Sequence, residues 1–256
     1  MRARLTLVGA GPGDPELISL KGIKALENAD VVLYDALAHP DLLKYCSKES
    51  LKIFVGKRAG VHSFQQQQIN QMIVEHALPG NHVVRLKGGD PFIFGRGQEE
   101  VAHAEVFGIE TSVIPGISSI NLPGYYGIPL TVRGVNESFW VITATTSNGK
   151  LSGDIKLAAQ SNATVVLFMG LKKLDKIVKL FKNVNKHELP VAIITKGSLP
   201  EGSLLLGTIE TIEAVVAREK PLTPALIVLG ETVGAHQAFT AEAEILQTQL
   251  LGSYEL

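Results

Sequence analysis

The densest chemistry in the chain lies in the loop Lys87-Gly88-Gly89-Asp90-Pro91-Phe92-Ile93-Phe94-Gly95-Arg96-Gly97. Its paired glycines let the backbone approach a ligand closely. Asp90 offers acceptors to ribose hydroxyls or an ammonium group, and Phe92, Ile93 and Phe94 supply apolar wall that a plain surface turn does not carry. No Gly-Lys-Ser/Thr follows, so this is not a phosphate loop. The competing reading is a long loop whose three apolar residues anchor it to the core. A second glycine-rich loop, Gly9-Ala10-Gly11-Pro12-Gly13-Asp14-Pro15, invites a dinucleotide fingerprint and with it a nicotinamide dehydrogenase. Asp14 stands where the third glycine would let a helix pack on the strand. Pro12 and Pro15 also remove two donors that a diphosphate wants. A tight turn, or a nucleoside pocket that holds no phosphate, fits better.

Other candidates fall where strands should end, the place where open α/β sheets put their ligands. Asp35 ends Val31-Val32-Leu33-Tyr34 and suits a general base or a turn cap equally. Lys57 and Arg58 end Ile53-Phe54-Val55-Gly56 and read as surface charge unless a substrate claims them. Gly116-Ile117-Ser118-Ser119 is no nucleophile elbow, because Ile120 replaces the closing glycine. The seven histidines show no paired ligand spacing, so no metal is expected.

Positioning these residues requires alternating strands and helices. Arg4–Val8, Val31–Tyr34, Lys52–Val55, His82–Leu86 and Thr111–Ile114 read as strands. Leu20–Glu27, Gln65–Ala77, Gln98–Phe107 and Ile117–Tyr125 read as helices, the second opened by a Ser63–Gln66 capping box. In the third, Glu100 marks the polar positions and Ala104 and Phe107 the apolar ones. Nearly all-apolar strands alternating with helices imply a parallel sheet covered on both faces. Beyond Gly127–Gly134 the rhythm loosens. Phe139–Thr143, Thr164–Met169, Val191–Thr195, Leu204–Leu206 and Ala225–Leu229 are strand-like, with helices over Leu171–Phe181 and Ile209–Arg218. The short link Lys196–Ser203 predicts an antiparallel pair and so a mixed second sheet. The expected fold is two α/β domains, 1–134 and 135–256.

Composition agrees with two globular units. The 256 residues are 45% hydrophobic and 19% charged, enough apolar material for real cores. Lys+Arg 24 against Asp+Glu 25 excludes a basic nucleic-acid coat, though not a local patch. Only Cys46 is present, so there is no internal disulfide framework, and a reducing cytoplasmic setting is expected. No apolar run is long enough to span a membrane.

Together these segments resemble the uroporphyrinogen-III C-methyltransferases of the class III tetrapyrrole methylase family. The resemblance is carried by Val8–Leu17, Ala29–Asp35, Val55–Gly60, Gln68-Ile69-Asn70, Val84–Gly97 and Ile114–Ser119, within a similarity over about residues 4–230. It implies a homodimer of two-domain subunits with the active cleft between the domains. S-adenosylmethionine would be the cofactor, leaving as S-adenosylhomocysteine, and uroporphyrinogen III the partner substrate. The matching positions imply cofactor contacts at Pro12, Gly88, Gly89, Asp90, Ile93, Ser118, Ser119, Met169 and Gly197, with Pro224-Ala225 beside the adenine. Asp35 matches the family's proton acceptor and Lys57 its proton donor. Two departures stand out. Leu130-Thr131-Val132-Arg133 replaces the family's Leu-Thr-His-Arg, and a Gly-His pair is replaced near Thr145-Thr146. The stretch after about residue 235 has no counterpart, and there is no room for the dehydrogenase–chelatase module fused to some relatives.

The implied reaction moves two methyl groups from a sulfonium to pyrrole carbons, giving precorrin-2 by way of precorrin-1. The electron-rich pyrrole is itself the nucleophile, which fits the absence of a serine or cysteine motif. Holding carbon, methyl and sulfur in line is worth up to about 7–11 kcal/mol. The macrocycle must then shed a proton, which Asp35 could accept. Lys57 could donate a proton or hold a substrate carboxylate. Arg58, Arg85, Lys87, Arg96 and Arg133 are candidates for the remaining acetates and propionates. The rivals are a sister methylase acting on a later precorrin and a non-catalytic tetrapyrrole- or nucleoside-binding module.

Overall fold

The computed structural model describes residues 2–56 and 64–239. Lys57, Arg58 and Ser63 therefore lie outside the described residues. The chain divides into two compact units, Met1–Ser119 and Ile120–Leu256. The expected boundary near 134 falls inside the second unit. Leu122 and Ile128 already pack with Val166, Ala192 and Ile194 of that unit's core, and this draws the division forward.

Among the described residues, the first unit holds β1 (Arg4–Gly9), β2 (Val31–Tyr34), β3 (Leu51–Phe54), β4 (His82–Lys87) and β5 (Glu110–Ile114). They form one parallel sheet in the order β3-β2-β4-β1-β5. Alternation sorts the side chains onto its two faces. Leu5, Leu7, Val31, Leu33 and Val83 pack on one side with Ile73 and Ala104. Val8, Val32, Val84 and Leu86 pack on the other with Ile18 and Leu26. Three helices cover these faces: α1 (Leu20–Glu27), α2 (Gln66–Ala77) and α3 (Gly97–Val106). Ser19 caps α1 by accepting from the Gly22 amide. At α2 the box forms two residues later than expected: the Gln65 amide donates to Gln68 Oε1 at 2.7 Å.

The second unit begins with a short helix, α4 (Leu122–Tyr125), in place of the expected helix 117–125; Ser119–Asn121 before it form a 3-10 turn. Pro123 within the first turn suits a helix start, not a helix interior. Then come β6 (Phe139–Thr143), α5 (Asp154–Gln160), β7 (Thr164–Phe168), α6 (Leu174–Lys182), β8 (Pro190–Thr195), β9 (Ser203–Thr208), α7 (Ile212–Glu219) and β10 (Ala225–Leu229). Their order is β6-β7-β10-β8-β9, with β6 parallel to β7 and the other pairings antiparallel. The sheet is mixed, as the 196–203 link implied. Phe181, Ile177 and Leu167 fill one face, and Val166, Ile194 and Val228 the other.

Candidate active site

Three loops leave the carboxyl edge of the first sheet and are joined by backbone contacts. The Gly11 and Gly89 amides exchange hydrogen bonds with each other's carbonyls at 3.3 and 2.7 Å, and the Ala10 amide donates to Lys87 O at 2.7 Å. Asp90 Oδ2 accepts from the Gly116 amide at 3.1 Å, and its Oδ1 accepts from the Phe92 amide at 2.8 Å. At the crossing, a Cβ on Gly9 would lie 2.4 Å from Gly116 Cα, and one on Gly116 would lie 2.2 Å from Gly89 O. Only glycine allows such contact. Pro12, Gly88, Gly89, Asp90, Ser118 and Ser119 are therefore carried on loops fastened to one another, and Ile93 follows half-buried.

This arrangement disposes of the dinucleotide reading. The Gly11 amide is already bonded, and Asp14 caps a 3-10 turn over Pro15–Leu17 through the Glu16 amide at 2.8 Å. The first α-helix starts only at Leu20. Among the described residues no α-helix begins within this glycine loop. Instead, a Cβ at Gly89, whose φ is +66°, would meet no atom within 4 Å, so its outer side faces open space. A backbone-walled cradle whose charged side chain is the carboxylate of Asp90 fits a compact nucleoside cofactor better than a diphosphate.

Beneath the loops lies a cluster of charge. Arg85 and Lys87 alternate with Val83 on the sheet face that α2 and α3 cover. Both are buried, so their expected exposure to substrate carboxylates is not found. Glu100, also expected on a solvated face, is 0% exposed. Glu100 shares the buried face of α3 with Ala104, whereas Phe107 follows the last residue of the helix, Val106, and is 45% exposed. Glu100 Oε1 accepts from Lys87 Nζ at 2.9 Å and from Arg85 Nε at 3.2 Å. Arg85 Nη2 donates to Asp35 Oδ2 at 3.2 Å, while Asp35 Oδ1 accepts from the Leu37 amide at 3.0 Å. Asp35 thus both caps its turn and forms an ion pair. Burial above all, and Arg85 beside it, hold the Lys87 ammonium below the ordinary lysine range, against the pull of Glu100.

The other expected substrate cations differ. Arg96 is exposed and forms an ion pair with Glu99 at 2.6 Å; Arg133 is exposed in the second unit. Phe94 and Arg96 take positive φ of 54° and 61°, rare for non-glycine residues and typical of functional loops.

In the second unit β7 and β8 run the same way on either side of β10, so Met169 and Lys196-Gly197 leave one sheet edge, where β10 begins at Ala225. Met169 has φ 55° and is 55% exposed. Thr145 Oγ1 donates to its carbonyl at 3.0 Å. The departure at Thr145 therefore touches a residue that the resemblance ties to the cofactor. At the other departure, Asn136 Oδ1 accepts from the Val132 amide at 2.8 Å, and its amide group donates to Leu130 O at 2.9 Å.

A family model described as Tetrapyrrole (Corrin/Porphyrin) Methylases matches residues 4–213. The chain belongs to the tetrapyrrole methylases. It is 45% identical over 236 residues to a uroporphyrinogen-III C-methyltransferase of Methanocaldococcus jannaschii, covering 91% of this chain and 98% of that one. It is 39% identical over 232 residues to a siroheme synthase of Psychrobacter cryohalolentis, covering 90% of this chain and 44% of that longer one. Among solved structures, the uroporphyrin-III C-methyl transferase of Thermus thermophilus complexed with S-adenyl homocysteine matches at 35% identity and a TM-score of 0.76, over 90% and 98% of the two chains. For this tetrapyrrole methylase the sequence showed neither the buried pairing of Glu100 nor the bond from Thr145 to Met169. Two cations, Arg85 and Lys87, at alternate positions of a strand that also carries Val83, Val84 and Leu86 are the available sign that a buried carboxylate faces them.

Proposed function

We propose that the protein methylates uroporphyrinogen III at two pyrrole carbons, using S-adenosylmethionine, to give precorrin-2. The observation that carries this reading is the 45% identity to the Methanocaldococcus enzyme across 98% of its length. Three of the motifs behind the resemblance, those around Gly11, Gly89 and Gly116, also meet in fastened loops. When bound, the cofactor supplies a methyl group on a sulfonium. Gly88, Gly89, Asp90, Ile93, Ser118, Ser119 and Pro12 in the first unit, with Met169 and Gly197 in the second, would hold it. Asp35 takes the proton that the methylated ring sheds; its side chain is 22% exposed, enough to pass that proton on to solvent. Lys57 serves as donor or carboxylate anchor, and Arg58, Arg96 and Arg133 hold substrate carboxylates. Arg85 and Lys87 act from within the protein.

The proposed setting is a homodimer in a reducing cytoplasm. Cys46 is free and buried, and burial raises its thiol pKa, as suits an inert thiol. Among the described residues no helix is long and apolar enough to cross a membrane, and no three His, Cys, Asp or Glu side chains gather as a metal site. Incubation with S-adenosylmethionine and freshly made uroporphyrinogen III should yield a product with two added methyl groups, a net gain of one CH2 for each proton shed. Methylation of a later precorrin alone would move the assignment to a sister activity. Ligand binding without any mass gain would favour a binding module.

A further inference from the structure

Glu100 occupies a position where packing alone would favour leucine. It lies among Val101, Ala104 and the sheet, fully buried, where a carboxylate is costly unless it is well paired. One of its oxygens does all the pairing. Oε1 accepts from Lys87 Nζ, from Arg85 Nε and, at 3.1 Å, from Gln66 Nε2 of α2. Oε2 has no partner among the described residues. The bonds that matter run onward from Arg85. Its Nη1 donates to Leu86 O at 2.8 Å and Leu33 O at 3.4 Å, and its Nη2 reaches Asp35. A planar guanidinium held at Nε by Glu100 has little freedom left in its Nη2 direction. Glu100, Arg85 and Asp35 thus form a relay from α3 through β4 to the exit of β2.

We propose that Glu100 is a positioning residue for methyl transfer: acting through Arg85, it fixes the Asp35 carboxylate in the orientation that accepts the substrate's proton. This rests on the reading of Asp35 as the base. In that step a bond to hydrogen on the cationic macrocycle breaks, its electron pair returns to the ring, and the proton passes to Asp35, whose oxygens each keep a lone pair beyond the bonds already made. Asp35 then releases the proton to solvent. Lys87 plays a different part, as a buried cation that balances Glu100. Burial holds its ammonium below the ordinary lysine range, and Glu100 opposes that shift.

Two substitutions separate reach from charge. Glu100→Asp keeps the charge but withdraws it by about 1.5 Å. Glu100→Gln keeps the reach and an acceptor at Oε1 but drops the charge. In crystal structures, Glu100→Asp should widen the Arg85 Nη2–Asp35 Oδ2 separation from 3.2 Å to beyond hydrogen-bond reach, and Glu100→Gln should leave it in place. In kinetics, Glu100→Asp should lower kcat about tenfold or more, with KM for S-adenosylmethionine within about twofold, while Glu100→Gln stays within about threefold of the parent. A purely structural role gives the reverse order, with activity following thermal stability and Glu100→Gln the worse. That order, or an unchanged separation in Glu100→Asp, overturns the proposal. Arg85→Lys, which still places a cation near Glu100 but loses the fork that spans to Asp35, should reproduce the kcat loss at the same KM; a normal kcat overturns the relay by itself. If the parent protein does not methylate uroporphyrinogen III, the functional reading fails, and the crystallographic separation still decides the positioning.

Discussion

Gly116→Ala tests whether the site is built on backbone contact between loops. The added Cβ would stand 2.2 Å from Gly89 O and 2.6 Å from Gly9 Cα, whereas ordinary contact begins near 3.4 Å. The loops must therefore part by about 1.2 Å, and since both neighbours are backbone, no side-chain rotation relieves the clash. Overpacking of this kind costs about 1–3 kcal/mol, and rigid neighbours put this case near the upper end. The displacement also moves Gly89 and, through the Gly116 amide bond, Asp90. Urea unfolding should show a loss of about 2–3 kcal/mol. Titration calorimetry should show S-adenosylhomocysteine binding weakened about tenfold or more, equivalent to about 1.4 kcal/mol. Gly124→Ala is the control: its Cβ meets nothing within 4 Å and it lies in a helix, so stability and affinity should hold or rise slightly. Parent-like stability and affinity in Gly116→Ala would refute the crossing of the three loops.

Thr145→Val removes the hydroxyl that holds the Met169 carbonyl and should weaken S-adenosylhomocysteine affinity about fivefold, the worth of one net hydrogen bond of about 1 kcal/mol, as read by calorimetry. Lys87→Met changes the pH dependence of stability. Because folding lowers the Lys87 pKa, the unfolded chain binds more protons between the folded value and the ordinary lysine value, and stability rises with pH through that window. The variant should lose that rise, and an unchanged slope in urea unfolding across mildly alkaline pH would count against the buried ammonium. Phe181→Ala, at a side chain only 1% exposed in the core of the second unit, should cost about 3–5 kcal/mol in the same measurement.

The strands were the most legible elements, because buried sheets write themselves as short apolar runs between turns. Val31–Tyr34, Phe139–Thr143 and Ala225–Leu229 stand at the bounds read from sequence. Helix α5 went unread: at seven residues, Asp154–Gln160 is too short for helical spacing to stand out. The glycine loops showed their type but not their stitching, since the contact of Gly9 with Gly116 joins positions far apart in sequence. The charged residues were the hardest to read. Arg85, Lys87 and Glu100 look like solvated charges one at a time, and only the pairing of β4 with α3 turns them inward against each other. The glycine motifs were visible locally; the Glu100–Arg85–Asp35 chain of hydrogen bonds is a tertiary fact.

The most direct test of the account is the stoichiometry of methyl transfer. With limiting uroporphyrinogen III and excess S-adenosylmethionine, two equivalents of S-adenosylhomocysteine should form for each tetrapyrrole consumed. Asp35→Asn should bind S-adenosylhomocysteine as the parent does yet form product far more slowly. Recovery of unchanged uroporphyrinogen III with no S-adenosylhomocysteine released by the parent protein would contradict the account.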